Sequence, residues 1–118
     1  MVLADTSVWI QHFRRGEPTL VDLLEEGLVL MHPFISGELA CGNLKSRGAI
    51  LSALNALPSA KLASHAEVFQ LIEDRRLWGR GLGWVDMHLL ASALLSHCGF
   101  RTLDKKLREA ATELGLTS

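Results

Sequence analysis

The sequence lacks any apolar run long enough to cross a membrane. A bilayer-spanning helix needs about 20 consecutive apolar residues, and the chain contains no such run. The amino terminus also lacks a cationic stretch ahead of an apolar one, so no secretory signal is predicted. We therefore expect a cytoplasmic protein without membrane contact.

Cysteine is scarce, and basic residues are not in excess. Cys41 and Cys98 lie far apart and match neither a metal-binding nor a redox spacing, so two reduced thiols are expected. The 12 Lys and Arg residues and 13 Asp and Glu residues give a net charge of -1 with His neutral. A domain without a basic excess must contact any nucleic acid through local patches of positive charge.

The motifs of several common enzyme classes are missing as well. The 5 histidines show neither HExxH nor HxH spacing, so none is predicted to bind zinc. The glycine-rich stretch 78–84 lacks the Lys-Ser/Thr pair of a phosphate-binding loop, and we interpret it as a hinge or flexible loop. Ser36 does not lie in the GxSxG motif of serine hydrolases.

The sequence does contain an alternation of short apolar segments with amphipathic ones. Strands are predicted at 2–4, 28–31, 60–63 and 100–103, and helices at 8–13, 20–24, 36–41, about 44–57, 66–77, 86–97 and 105–114, with Ser36 as a helix cap. This order predicts an α/β fold, in which a parallel sheet is flanked by helices on both faces. The length of the chain suits one domain over residues 1–118.

Four of the acidic residues lie in apolar surroundings. Asp5 and Asp104 each follow a predicted strand, and Glu38 and Asp86 lie in predicted helices. The carboxyl ends of parallel strands form one edge of a sheet, where ligands bind. Taken singly, the three aspartates are also good helix caps, and Glu38 fits a buried ion pair. Together, four carboxylates at one edge repel one another unless a divalent cation joins them, and all-oxygen ligands favour Mg²⁺ or Mn²⁺.

The segments around these acids resemble the PIN-domain ribonucleases, specifically the VapC-type toxins of bacterial toxin–antitoxin pairs. The matching segments are LADTSVWI, SGELACG, GWVDMHLLASALL and FRTLDKKL, in the order of the family. The resemblance covers essentially the whole chain. It implies a PIN domain that cleaves RNA phosphodiester bonds with a water activated by Mg²⁺, for which Mn²⁺ is a possible substitute.

The resemblance also assigns residue roles by position. The acidic quartet of the family corresponds to Asp5, Glu38, Asp86 and Asp104. Asp5, Asp86 and Asp104 are expected to bind the metal, and Glu38 to hold or activate the attacking water. Thr6 and Thr102 match hydroxyl residues that are expected to hydrogen-bond the ligands or a metal-bound water. Lysines follow Asp104 where some members carry a further acid, so a fifth ligand is not carried over.

The family further implies a homodimer, an RNA substrate and a cognate VapB-like antitoxin whose tail blocks the active site. Candidate RNA contacts are Arg14, Arg15, Arg75, Arg76, Arg80, Arg101, Lys105 and Lys106. We interpret the region of Trp9, Phe13 and Leu20 as core in preference to an antitoxin groove.

Two alternatives remain at this stage. One is a catalytically silent PIN-fold module that binds RNA or an antitoxin. The other is a phosphate hydrolase with Asp5 as nucleophile, which Ser7 disfavours because such enzymes usually need an Asp two residues after the first.

Overall fold

A short parallel sheet organises the computed structural model, which describes residues 1–117. The central strand β1 (Val2–Ala4) pairs in parallel with β2 (Val29–Leu30) on one side and β3 (Gly99–Arg101) on the other. Since a parallel strand needs a crossover connection, each of these pairings places helices between the strands. In the order β2-β1-β3, the chain adds β2 on one side of β1 and β3 on the other. Ligands bind in open α/β sheets at such a point, where the strand order switches sides.

Both faces of the central strand are covered. Successive residues of a strand point to opposite faces, and Val2, Leu3 and Ala4 are all buried. Leu3 aligns with the buried Leu30 and Phe100 of the neighbouring strands. The predicted α/β fold, with a parallel sheet covered on both faces, is therefore confirmed.

Helices connect and surround these strands. Their bounds are α1 (Thr6–Arg15), α2 (Pro18–Glu25), α3 (Pro33–Cys41), α4 (Arg47–Asn55), α5 (His65–Arg75), α6 (Trp84–Ser96) and α7 (Lys105–Glu113). The helices α1 and α7 begin almost directly after β1 and β3, and their N-caps are Asp5 and Asp104. Within residues 1–117, no helix has both the length and the apolar character needed to cross a membrane.

The start of α3 differs from the prediction. His32 caps the helix, because its Nδ1 accepts a hydrogen bond from the backbone N–H of Phe34 at 3.0 Å. Pro33 begins the helix, since the first helical position needs no N–H donor. Ser36 therefore lies inside the helix, and the prediction that it is the cap was wrong.

Other boundaries also moved. Within residues 1–117 the segment 60–63 forms no strand, and an isolated bridge just before it joins Met31 to Ser59. Strand β3 ends at Arg101, so Thr102 lies in the loop that follows it. Helix α4 is shorter than 44–57 because Ser46, just before it, adopts a left-handed conformation.

The hydrophobic core confirms part of the aromatic interpretation. Trp9 and Leu20 are 2% and 1% exposed, and both belong to the core cluster that surrounds β1. Phe13 is only partly buried and packs against that cluster. The core thus fixes the inner face of α1, while Phe13 remains accessible at its edge.

Candidate active site

Asp5 lies buried at the carboxyl end of the central strand. Its Oδ1 accepts hydrogen bonds from the Ser7 hydroxyl and from the backbone N–H groups of Ser7 at 3.1 Å and Val8 at 3.4 Å. Its Oδ2 accepts a hydrogen bond from the Thr102 hydroxyl at 2.6 Å. Asp5 therefore caps α1 with Oδ1 and contacts the loop after β3 with Oδ2, so the helix cap and the predicted site residue are the same side chain.

A hydrogen-bond network joins the ends of β1 and β3. Thr102 Oγ1 accepts from the backbone N–H of Asp104 at 3.0 Å while it donates to Asp5. Ser7 Oγ accepts from the backbone N–H of Leu103 at 2.9 Å. Asp104 in turn accepts from the backbone N–H of Leu107 at 3.1 Å, and its side chain reaches solvent. Thr102 therefore links the Asp5 carboxylate to the backbone of Asp104, and its predicted role beside metal ligands stays a prediction.

The role of Ser7 was missed in the sequence. Its hydroxyl contacts both Asp5 and the loop after β3, so it belongs to the same network as Thr102. The available signal was a hydroxyl residue in the first turn of a helix that an aspartate caps, two positions after that aspartate.

Burial raises the pKa of the Asp5 carboxyl, and the hydrogen bonds from Ser7, Thr102 and Val8 lower it in part. Repulsion by other carboxylates is not among the causes of this shift. Mutual repulsion among the four carboxylates therefore stays a prediction. Within residues 1–117, no three Asp, Glu, His or Cys side chains are placed to ligate one ion together.

Glu38 lies on α3, and its side chain is exposed. The Thr6 hydroxyl donates a hydrogen bond to its Oε2 at 3.3 Å. The alternative of a buried ion pair is therefore wrong for Glu38. Thr6 links the first turn of α1 to this glutamate, and its predicted hydrogen bond to metal ligands or to a metal-bound water stays a prediction.

Asp86 lies in the first turn of α6, which begins two residues earlier than predicted. Its Oδ2 accepts a hydrogen bond from the backbone N–H of Gly83 at 2.9 Å, and the residue is half-buried. Asp86 thus fixes the end of the glycine-rich loop and presents its second oxygen away from that bond.

The glycine-rich loop itself is tied to α7. Arg80 makes two hydrogen bonds to the Glu113 carboxylate, at 2.6 and 3.0 Å. Gly81 has a φ of +77°, and a Cβ at this position would lie 2.9 Å from the Lys106 ammonium. The loop therefore connects the helix that bears Asp86 with the helix that Asp104 caps, and Arg80 is paired with Glu113 instead of pointing to a free phosphate site.

Each of the four carboxylates keeps an oxygen with an open lone pair. Within the described part of the chain, Glu38 Oε1, Asp86 Oδ1 and Asp104 Oδ2 accept no hydrogen bond, and Asp5 Oδ2 accepts only the one from Thr102. In Glu38, Asp86 and Asp104 one oxygen is hydrogen-bonded and the other is available, whereas both oxygens of Asp5 accept hydrogen bonds. Carboxylate oxygens are ligands that suit Mg²⁺ or Mn²⁺ better than zinc.

A cleft of about 510 Å³ adjoins Glu38. Its walls come from α1, α3 and the segment 42–50, and they include Ile10, Phe13 and Leu39 together with Arg14. The cleft thus joins an apolar surface to one of the four carboxylates.

Comparison with known proteins points to one family. A family model described as the PIN domain matches residues 2–113. The chain is also 44% identical over 117 residues to "Ribonuclease VapC32" of Mycobacterium tuberculosis, in the strains CDC 1551 / Oshkosh and H37Rv, with 98% of this chain and 94% of the relative covered. The chain belongs to the PIN-domain family and, within it, to the VapC-type ribonucleases.

Proposed function

We propose that this chain, as one PIN domain over residues 1–118, is an endoribonuclease and the toxin of a type II toxin–antitoxin system. The observation that carries the proposal is the network that joins Asp5 and Asp104 through Thr102 at the end of the central strand. This network fixes the buried carboxylate of Asp5, in a chain whose relatives are named as ribonucleases.

The proposed cofactor is Mg²⁺, with Mn²⁺ as a possible substitute. Asp5, Asp86 and Asp104 are the residues that would hold it: Asp86 and Asp104 through the oxygen that accepts no hydrogen bond, and Asp5 through Oδ2, which accepts only the one from Thr102. A bound divalent cation supplies Lewis-acid activation of water and neutralises charge on the phosphate. Asp5 is held by Ser7 and Thr102, whereas Asp104 is exposed and Asp86 half-buried, so binding of the ion would require the side chains of Asp86 and Asp104 to move.

The side chains around the site have different proposed roles. Thr102 and Ser7 hold Asp5 in one orientation, so its Oδ2 stays directed at the site. Glu38 orients the attacking water and accepts its proton, and Thr6 limits the positions that Glu38 takes. Attack by water at phosphorus leaves a 5′-phosphate and a 3′-hydroxyl. Cyclic 2′,3′-phosphate ends would contradict this mechanism.

Contact with RNA depends on local positive charge. Lys105 and Lys106 lie in the first turn of α7, next to Asp104, and Arg14 lies beside the cleft at Glu38. These cations border the carboxylates from two sides, which suits a phosphate backbone that passes over the site. Since the RNA substrate is intracellular, we place the protein in the cytoplasm.

A VapB-like antitoxin is the proposed protein partner. Its tail would occupy the cleft beside Glu38, where Ile10, Phe13 and Leu39 offer apolar contacts and Arg14 offers a positive charge to an acidic side chain. A second copy of the chain is also proposed, as in the family. The exposed Phe69 and Trp84, whose rings lie 4.9 Å apart, form an apolar surface that such a copy can cover.

Cleavage by the purified chain tests the proposal. We expect single-stranded RNA to be cut in Mg²⁺, and EDTA or the substitution Asp104→Asn to abolish the cut. Asp74→Asn is the matched control, because Asp74 is an exposed aspartate whose partner is Gln70 on the same helix. RNA binding without cleavage by the unmodified chain would favour the silent binding module.

A further inference from the structure

His32 is a buried histidine that uses both of its ring nitrogens. It is 3% exposed and lies between β2 and α3. Its Nδ1 accepts from the backbone N–H of Phe34, which makes it the N-cap of α3. Its Nε2 lies 3.1 Å from the hydroxyl oxygen of Ser92, a fully buried residue of α6.

These two contacts determine the protonation state of the ring. A backbone N–H only donates, so Nδ1 carries no proton and the proton of the neutral ring is on Nε2. Nε2 therefore donates to Ser92. A second proton would remove the cap of α3 and place a positive charge at the positive end of the helix dipole. Burial and the neighbouring His88 lower the pKa of His32 to about 4, which agrees with a ring that stays neutral.

The hydrogen bond between His32 and Ser92 joins α3, which carries Glu38, to α6, which carries Asp86. Within the described part of the chain, it is the only side-chain hydrogen bond between α3 and its cap on one side and α6 on the other. Phe34 packs beside it, with its ring 5.1 Å from that of His32 and 5.0 Å from that of His88. The first turn of α3 is thus fixed against α6 within two turns of Asp86.

We infer that His32 is a positioning residue, which sets the separation of Glu38 and Asp86 through its hydrogen bond to Ser92. This inference rests on the proposed function, because it assigns both acids to one site. Neither acid has a hydrogen bond to Asp5 or Asp104, so their placement depends on where their helices lie. The cap contact fixes the start of α3, and the Ser92 contact fixes that start relative to α6.

Two variants separate the cap from the interhelix contact. Ser92→Ala removes the acceptor on α6 and leaves the cap of α3 in place. His32→Asn keeps a good N-cap side chain, but its shorter amide does not reach Ser92. Ser96→Ala is the matched control, because Ser96 lies on the same helix and its hydroxyl bonds to the backbone of Lys61, away from both acids.

The test measures RNA cleavage as a function of Mg²⁺ and, without RNA, the rise in melting temperature that Mg²⁺ causes. For Ser92→Ala and His32→Asn we expect kcat to fall about 10-fold and the Mg²⁺ concentration for half-maximal effect to rise about 10-fold in both assays. The KM for RNA is expected to stay unchanged. Ser96→Ala is expected to match the unmodified chain in kcat and in both Mg²⁺ responses.

A lower melting temperature with unchanged kcat and Mg²⁺ response in Ser92→Ala would overturn the inference, since His32 would then be structural only. If the unmodified chain fails to cleave RNA, the proposed function fails. The Mg²⁺-induced shift of the melting temperature then tests the positioning role of His32 without the cleavage assay. An equal shift in Ser92→Ala and the unmodified chain overturns that role.

Discussion

The two halves of the site are built in different ways. Asp5 directly follows β1 and Asp104 follows the loop after β3, and Thr102 bonds to the Asp5 carboxylate and to the Asp104 backbone N–H. Glu38 and Asp86 lie on α3 and α6, and each has one hydrogen bond, to Thr6 and Gly83 respectively. The strand-end half is fixed by local bonds, whereas the helix half is fixed by the packing of whole helices.

This difference shows which contacts fix the positions of the four carboxylates. In the strand-end half, a substitution of Thr102 disturbs the Asp5 carboxylate and the Asp104 backbone at once. In the helix half, the controlling contacts lie away from the acids, as with His32 and Ser92. The two halves should therefore respond differently to substitution, to pH and to a divalent cation.

The strand-end half should be most sensitive at Asp5. Asp5→Asn removes a proposed cation ligand at nearly constant volume, so we expect cleavage to fall about 1,000-fold, the effect of several kcal/mol. Because burial raises the pKa of Asp5, its ionised form costs stability at neutral pH, and the variant should melt higher than the unmodified chain without metal. Circular dichroism and an RNA cleavage assay measure both effects. The control is Asp22→Asn on the exposed side of α2. An unfolded Asp5→Asn would mean that the cap role dominates.

Acid should weaken the helix half first. The pKa of His32 is about 4 in the folded chain and near 6.5 when unfolded, so the unfolded state binds more protons between these values. The stabilisation is complete above pH 6.5 and is lost as the pH falls towards 4. We expect the free energy of unfolding to drop by about 2 kcal/mol from this group between pH 7 and 5. Urea denaturation at both pH values measures it, and the drop should shrink in His32→Asn. An equal drop in both proteins would contradict the assignment.

Protonation of Asp5 has the opposite sign. Its raised pKa means that the folded state takes up this proton more readily than the unfolded state. Asp5 therefore adds stability as the pH falls, and the pH response distinguishes the two halves.

Thr102 tests the network within the strand-end half. Thr102→Ala leaves Asp5 Oδ2 and the Asp104 backbone N–H without their shared partner, so we expect cleavage to fall about 10-fold and unfolding free energy to fall by about 1–2 kcal/mol. Thr102→Ser keeps the hydroxyl and should retain most of the activity. Equal losses in the two variants would show that the methyl group matters and the hydroxyl does not.

Thr6 should show the smallest effect. Thr6→Val removes the one hydrogen bond to the exposed Glu38, and a bond at 3.3 Å to a solvated group is worth about 0.5–1 kcal/mol. We expect kcat to fall about 3-fold, with the melting temperature nearly unchanged. A loss as large as that of Thr102→Ala would place Glu38 in the rigid part of the site and remove the distinction between the halves.

The predictability of the fold and of the site follows the same division. Apolar runs and helical spacing were sufficient for the α/β fold, and the position of Asp5 directly after β1 followed from the pattern. Asp104 was predicted at a strand end, but β3 ends at Arg101 and Asp104 lies beyond the loop that follows it. The cap of α3 was misassigned because a histidine side chain can replace a serine, which propensities do not reveal. Ser7 and Ser92 escaped notice because their partners lie 96 and 60 residues away in the chain.

Binding of Mn²⁺ to the purified chain tests the central claim most directly. The electron paramagnetic resonance signal of free Mn²⁺ decreases when the ion binds, so a titration reports binding without RNA. The account predicts saturable binding to the unmodified chain and its loss in both Asp5→Asn and Asp104→Asn. Equal binding by the unmodified chain and the two variants would contradict the claim that these carboxylates hold the cation.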